Sequence, residues 1–145
     1  MIAIVIVSHS RCLAEGVREV ADQMASGQVT IVPVGGVQDQ EGTHLGTDPM
    51  AVLQAIQDAW TPDGVLILAD LGSAILSAET ALEFLPPEQR RRCRISNAPL
   101  VEGAIVAALE ASLGGSLDAV NAAAEGTGSL VKVARPHPDP RGSTP

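Results

Sequence analysis

Two turns hold the residues whose types and spacing could do chemistry in this chain. His9 follows the apolar run from Ile2 to Val7, inside the polar triplet Ser8-His9-Ser10, and Asp70 follows a second apolar run, Val65 to Ala69. An imidazole can serve as base, metal ligand or nucleophile. A helix amino terminus beside it favours an arriving anion over a cationic metal, and phosphate is the first candidate. A nucleophilic histidine needs one ring nitrogen free and the other held by an acceptor that fixes the tautomer and stabilises the imidazolium. Asp70 is the acceptor expected here. Hydroxyl and backbone N–H donors of Ser8, Ser10, Thr47, Gly72 and Ser73 are expected to hold phosphoryl oxygens, because transfer rests on positioning and charge stabilisation. Each has a plainer use: a histidine after a strand can be a turn residue, Asp70 can cap the turn at Gly72, and Ser or Thr at loop ends often caps a helix.

Other reactive residue types sort less readily into a site. His44 lies in a polar loop and is expected to be exposed. The cluster Arg90-Arg91-Arg92 with Arg94 reads as a solvated loop or helix end. Cys12 falls in a first helical turn, where a thiol can be activated, but it also suits a small buried position. Glu79 and Glu102 are single acids on helices. No Walker motif, dinucleotide fingerprint or metal-ligand spacing is present, so neither a metal nor a bound cofactor is expected.

The elements that must position His9 and Asp70 follow from periodicity. The run Ile2–Val7 is rich in β-branched residues without polar alternation, as in a central parallel strand covered on both faces. Leu13, Val17, Val20 and Met24 then recur at helical spacing. A second strand over Val29–Val34 carries Pro33, which suggests a sheet edge. A glycine-punctuated loop runs from Gly35 to Gly46. Thr47 or Asp48 can cap the next helix, with Pro49 in its first turn, and Val52, Leu53, Ile56, Ala59 and Trp60 form its stripe. The strand Val65–Ala69 leads to a helix with Ile75, Ala78, Leu82 and Leu85 on one face, ended by Pro86-Pro87. A short strand near Cys93–Asn97, a helix bearing Val101, Ile105, Ala108 and Leu109, and a last helix from Ser116 complete the pattern. Alternating strands and helices predict an α/β fold: a mostly parallel four-stranded sheet with helices on both faces. A central first strand gives the order 2-1-3-4, whose switch point brings the His9 and Asp70 turns together. Leu130–Ala134 could add an edge strand. We assign one domain to 1–134 and a proline-rich, disordered tail or linker to 135–145, which includes His137.

Composition excludes several classes. The 145 residues carry a formal net charge of −8, with one Trp, one Phe and no Tyr. A nucleic-acid or anionic-membrane binder needs a basic face, and a single-strand binder needs aromatic platforms. Cys12 and Cys93 suit a reducing compartment and no disulfide is expected. The amino terminus lacks the basic segment and cleavage pattern of a signal peptide, and no stretch approaches the roughly 20 apolar residues of a membrane span. The expectation is a soluble cytoplasmic protein acting on a small molecule or another protein.

The segments Ile4-Val5-Ile6-Val7-Ser8-His9-Ser10, Leu13-Ala14-Glu15-Gly16-Val17, Gly46-Thr47-Asp48, Asp70-Leu71-Gly72-Ser73-Ala74, Ser77-Ala78-Glu79-Thr80-Ala81 and Ala98-Pro99-Leu100-Val101-Glu102-Gly103 together resemble one family over about residues 1 to 125. It is the phosphotransfer-subunit family of phosphoenolpyruvate-dependent dihydroxyacetone kinase, DhaM, whose fold is the mannose-type EIIA domain of the phosphotransferase system. The resemblance implies a homodimer in which His9 accepts a phosphoryl group from the carrier HPr and gives it to ADP held on DhaL. A third subunit, DhaK, would bind the dihydroxyacetone, and Asp70 would be the carboxylate beside the histidine. Sugar-transport relatives usually show Asp-Leu-Phe-Gly-Gly-Ser where this chain has Asp70-Leu71-Gly72-Ser73-Ala74, which favours the kinase branch. His44 and the arginine cluster match nothing in that pattern. In some members this domain is fused to HPr-like and enzyme I-like domains, so the tail is compatible with a stand-alone form or with a linker. Two other readings stay open: the EIIA component of a mannose-type sugar transporter, and a non-catalytic α/β regulatory module.

Overall fold

A computed structural model describes residues 1–135. In chain order it holds β1 (Ala3–Ser8), α1 (Arg11–Met24), β2 (Ile31–Gly35), β3 (Val37–Asp39), β4 (Gly42–His44), α2 (Pro49–Ala59), β5 (Val65–Ala69), α3 (Gly72–Glu83), α4 (Pro87–Arg90), β6 (Cys93–Ile95), α5 (Leu100–Ser112) and α6 (Leu117–Gly126), followed by a 3-10 turn at Thr127–Ser129. The main sheet has the order β2-β1-β5-β6 and is parallel throughout, as the order 2-1-3-4 anticipates. Pro33 sits in the edge strand β2, paired only with β1, where its missing N–H costs no ladder bond.

β1 is buried along its whole length because both of its faces meet helices. Ile2, Ile4 and Ile6, with Leu66 and Leu68 of β5, pack against α1, α5 and α6. Ala3, Val5 and Val7, with Val65 and Ile67, pack against α2 and α3. The helices meet this sheet mainly through alanine. On α1 the buried residues are Ala14, Val17 and Ala21, while Leu13, Val20 and Met24 are 43%, 47% and 52% exposed. The helix and its period are as expected from the sequence, but three of the four residues read as its apolar stripe face outward. On α5, likewise, Ala104, Ala107, Ala108 and Ala111 are buried while Val101 and Leu109 are exposed. Short side chains let these helices approach a sheet whose Ile, Leu and Val side chains already fill the gap between the layers. Gly103 of α5 is tightly packed: a Cβ there would lie 2.6 Å from Ala98 Cβ and 3.1 Å from Leu68 Cδ2 of β5.

Two expectations need correction. The loop from Gly35 to Gly46 contains an antiparallel hairpin, β3–β4, pairing Val37 with His44 and Asp39 with Gly42. Its strands have three residues each and are largely exposed, so no apolar alternation announces them. Leu130–Ala134 forms no edge strand. After the 3-10 turn the chain is held by Lys132 Nζ, 3.3 Å from Glu102 Oε1 on α5, so this segment lies on the helical layer and not along a sheet edge. Of the expected tail, residues 136–145, with His137, lie outside the described residues. Among the described residues, no helix is long and apolar enough to cross a membrane.

Candidate active site

β1 and β5 end side by side, and the chain turns into a helix after each. The register pairs Val7 with Ala69, so Ser8-His9 and Asp70 leave the sheet together, and the Asp70 N–H donates to the Val7 carbonyl at 3.1 Å. The edge strand closes the other side. Gly35 lies beside Ser8 so tightly that a Cβ there would come within 2.5 Å of the Ser8 carbonyl oxygen and 2.9 Å of that of Ser10. Only glycine leaves room for the His9 turn.

The Asp70 carboxylate accepts four hydrogen bonds. Ser8 Oγ–H donates to Oδ2 at 2.8 Å and the His9 backbone N–H donates to the same oxygen at 3.0 Å. His9 Nδ1 is 2.8 Å from Oδ1, and the Leu71 N–H donates to that oxygen at 2.7 Å. The carboxylate therefore does two things the sequence left as alternatives: it satisfies the turn into α3 and it holds the imidazole. Burial pushes its pKa up, but the His9 amide, the His9 ring and Ser8 outweigh that and hold it below the ordinary carboxylate value. An ionised acceptor at Nδ1 fixes the proton on that nitrogen, which leaves Nε2 with its lone pair. The side chains of His9 and Asp70 are 23% and 12% exposed, so the ring is held and still reachable from solvent.

Nε2 faces the start of α3, where it contacts Ser73 Oγ. The first N–H groups of a helix have no intrahelical acceptor. On α1, α2 and α6 the side chains of Ser10, Asp48 and Ser116 supply one, whereas α3, which starts at Gly72 after Leu71, has no side-chain cap, as is also true of α4 and α5. An uncapped helix start thus lies on the Nε2 side of the ring, suited to an anion bound there.

The remaining expected donors divide. Ser8 is buried and bonded to Asp70, and its oxygen also accepts the Ser10 N–H at 3.0 Å, so it orders the turn. Ser10 caps α1 by accepting from the Leu13 N–H. Ser73 contacts Nε2 at the α3 start, and Gly72 precedes it as the first residue of that helix. Thr47 enters through the preceding loop: the Gly46 N–H donates to the His9 carbonyl at 2.9 Å, and Thr47 Oγ1 is 2.6 Å from Ser77 Oγ. Nothing in the apolar pattern of α3 singles out Ser77; its spacing of four residues from Ser73 is the signal that could. His44 pairs with Asp39 across the exposed hairpin at 3.0 Å, and Cys12, which the sequence suited to a small buried position, is instead exposed on the first turn of α1. The arginines lie near the start of β6, at the end of the sheet opposite His9, with Arg94 paired to Asp118 at 2.6 Å. Glu102 pairs with Lys132 and Glu79 is exposed.

This geometry can be set against known proteins. Residues 3–121 match the EIIA-man family model, described as the PTS system fructose IIA component. The chain is 46% identical over 120 residues to the phosphoryl donor subunit DhaM of the PEP-dependent dihydroxyacetone kinase of Escherichia coli K12, an alignment spanning 83% of this chain and 25% of that protein. A Listeria innocua subunit, named for PEP-dependent dihydroxyacetone kinase 2, is 41% identical over 120 residues, with 83% of this chain and 94% of that protein covered. The crystal structure of EF1359, a protein of unknown function, superposes with a TM-score of 0.75 at 38% identity and covers 86% of this chain and 93% of that one. The chain spans about a quarter of the length of the enterobacterial relatives it matches. With a family model matched from the first strand into the last helix, and DhaM subunits aligned over most of its length, this chain belongs to the EIIA-man family, on its DhaM side.

Proposed function

We propose that this chain is a phosphohistidine carrier that takes a phosphoryl group from HPr onto His9 and passes it to ADP held on DhaL, in a dihydroxyacetone kinase whose sugar is bound by DhaK. The observation that carries the reading is the divided environment of one ring: Nδ1 is held by a carboxylate, while Nε2 faces Ser73 and an uncapped helix start.

In the first step the Nε2 lone pair attacks the phosphorus of the donor's phosphohistidine. The Nε2–P bond forms as the donor's N–P bond breaks, and the donor imidazole leaves with the electron pair. Asp70 retains the Nδ1 proton in its hydrogen bond and stabilises the positive charge that spreads over the ring. Ser73 and the N–H groups of Gly72 and Ser73 receive the phosphoryl oxygens. In the second step a terminal phosphate oxygen of ADP attacks the same phosphorus, the Nε2–P bond breaks, and His9 returns to its neutral tautomer.

The reading includes a homodimer. Supporting it are the exposed Leu13, Val20 and Met24 of α1 and Val101 and Leu109 of α5, on one helical layer, which a second copy could cover. Sedimentation of the purified chain tests this part: a monomer at micromolar concentration would remove it.

The experiment for the carrier is phosphoryl transfer from phosphoenolpyruvate through enzyme I and HPr to the wild type and to His9→Ala, followed by DhaL with ADP. Label on the wild type alone, discharged by DhaL, is the expected result. Label removed only by a transporter EIIB would move the chain to sugar transport, and absence of label would overturn the carrier reading.

A further inference from the structure

Ser77 is a buried polar residue on α3 that the mechanism above does not use. It follows Ser73 by four residues, so the two hydroxyls lie on neighbouring turns of one helical face. Its oxygen meets Thr47 Oγ1 at 2.6 Å. Thr47 belongs to a segment fixed at both ends: Gly46 donates its N–H to the His9 carbonyl, and Asp48 caps α2 by accepting from the Met50 N–H at 3.0 Å. Gly46 reaches this position at φ 148, with its Cα too close to Val37 for a side chain. The hydroxyl of Thr47 is thus carried on a short, rigid bridge between the His9 turn and the flank of α3.

A hydroxyl pair has a direction, because a single proton lies between the two oxygens. A buried hydroxyl must place its proton on some acceptor. Among the described residues Ser77 has no hydrogen-bond partner besides Thr47, although comparable bonds back along the helix are formed elsewhere, as by Thr80 to the Leu76 carbonyl. Thr47 is only partly buried, and the residue before it, Gly46, is bonded to the His9 carbonyl. The arrangement in which Ser77 donates and Thr47 accepts gives the buried proton an acceptor and leaves the Thr47 proton free for another oxygen.

We propose that Ser77 is a positioning residue for phosphoryl transfer: by donating to Thr47 it fixes that hydroxyl so that its proton points at an oxygen of the group on His9 Nε2. This rests on the phosphohistidine reading. Thr47 then complements Ser73, the two hydroxyls approaching the phosphoryl group from the loop and from the helix, and Ser77 acts only through Thr47.

The test uses the full chain with potassium phosphoramidate as a protein-free phosphoryl donor, following phospho-His9 by 31P NMR. Ser77→Ala and Thr47→Val should each slow phosphorylation on the order of 10-fold, less than the roughly 100-fold that a 1 Å misplacement can cost. They should move the phospho-His9 31P resonance in the same direction. The double variant should be no slower than either single variant, because both remove one unit. Thr47→Ser, which keeps the hydroxyl, should rescue most of the rate and resonance lost in Thr47→Val, and Ser116→Ala, a cap on α6 far from the site, should move neither. Effects of the two single variants that multiply in the double, an unshifted resonance, or Ser77→Ala at the wild-type rate would overturn the positioning role while leaving the carrier intact. A wild type that takes no phosphate would overturn the carrier reading itself. If Ser77→Ala does not fold, the contrast of Thr47→Val with Thr47→Ser decides, since Thr47 is not a core residue: equal rates would overturn the proposal.

Discussion

Replacing Asp70 with asparagine separates what the carboxylate does for the fold from what it does for the ring. Its two oxygens accept four donors, from Ser8, the His9 amide, the His9 ring and the Leu71 amide. Asparagine keeps the shape but has one acceptor oxygen, with an NH2 group in place of the other. If its oxygen stays with Ser8 and the His9 amide, the NH2 faces His9 Nδ1 and the Leu71 N–H. If it turns over, the NH2 faces the His9 amide. In either orientation one backbone N–H loses its acceptor, at a cost of about 1–3 kcal/mol, with the lower end expected at this partly exposed turn. The first orientation also forces Nδ1 to accept, which moves the ring proton to Nε2 and blocks the attacking atom. In serine-protease triads the same change costs about 10⁴ in rate, and in that orientation we expect a loss on the order of 10³ to 10⁴. Quenched-flow phosphorylation by HPr measures the rate, 15N spectra of the imidazole report the tautomer, and urea unfolding gives the stability. A variant whose ring proton has moved to Nε2 but whose rate stays within threefold of the wild type would refute the argument.

The same carboxylate predicts a pH dependence. A depressed acid contributes stability that is whole above its unfolded pKa, about 3.9, and is lost as pH falls through the lower folded value. The stability difference between the wild type and Asp70→Asn should therefore not shrink between pH 7 and 5 and should collapse only below about pH 4; urea titrations at stepped pH check this. Gly35→Ala should abolish phosphorylation without unfolding the sheet, because the new methyl displaces the Ser8–Ser10 turn; circular dichroism and the transfer assay report on the two halves of that statement. The two thiols should differ in reactivity. Burial pushes Cys93 up to about 11, whereas Cys12 is exposed. At pH 8 a disulfide reagent should titrate one thiol quickly in the native protein and a second only in denaturant, and a C12S variant should lose the fast phase.

The sequence by itself determined the strand runs, the helix periods and the alternation that makes a parallel sheet. Those are local signals: an unbroken Ile and Val run marks a strand buried on both faces, and Pro33 marks an edge. It also singled out His9 and Asp70, because a polar residue at the end of a buried strand stands where such sheets bind ligands, and the DhaM resemblance rested on the same turns. Which helix face is buried was decided only by tertiary packing. α1 has apolar residues on two sides, and periodicity favours the larger Leu13, Val20 and Met24, but a sheet already filled with branched side chains accepts the smaller Ala14 and Ala21. The hairpin at Val37–His44 was hidden because its residues bury too little to leave a pattern. That one carboxylate serves both the α3 turn and the ring, that α3 lacks a cap where Nε2 faces it, and that Ser77 reaches Thr47 across 30 residues are properties of register and distance. No spacing along a chain encodes them, because they arise only when β1 and β5 lie side by side.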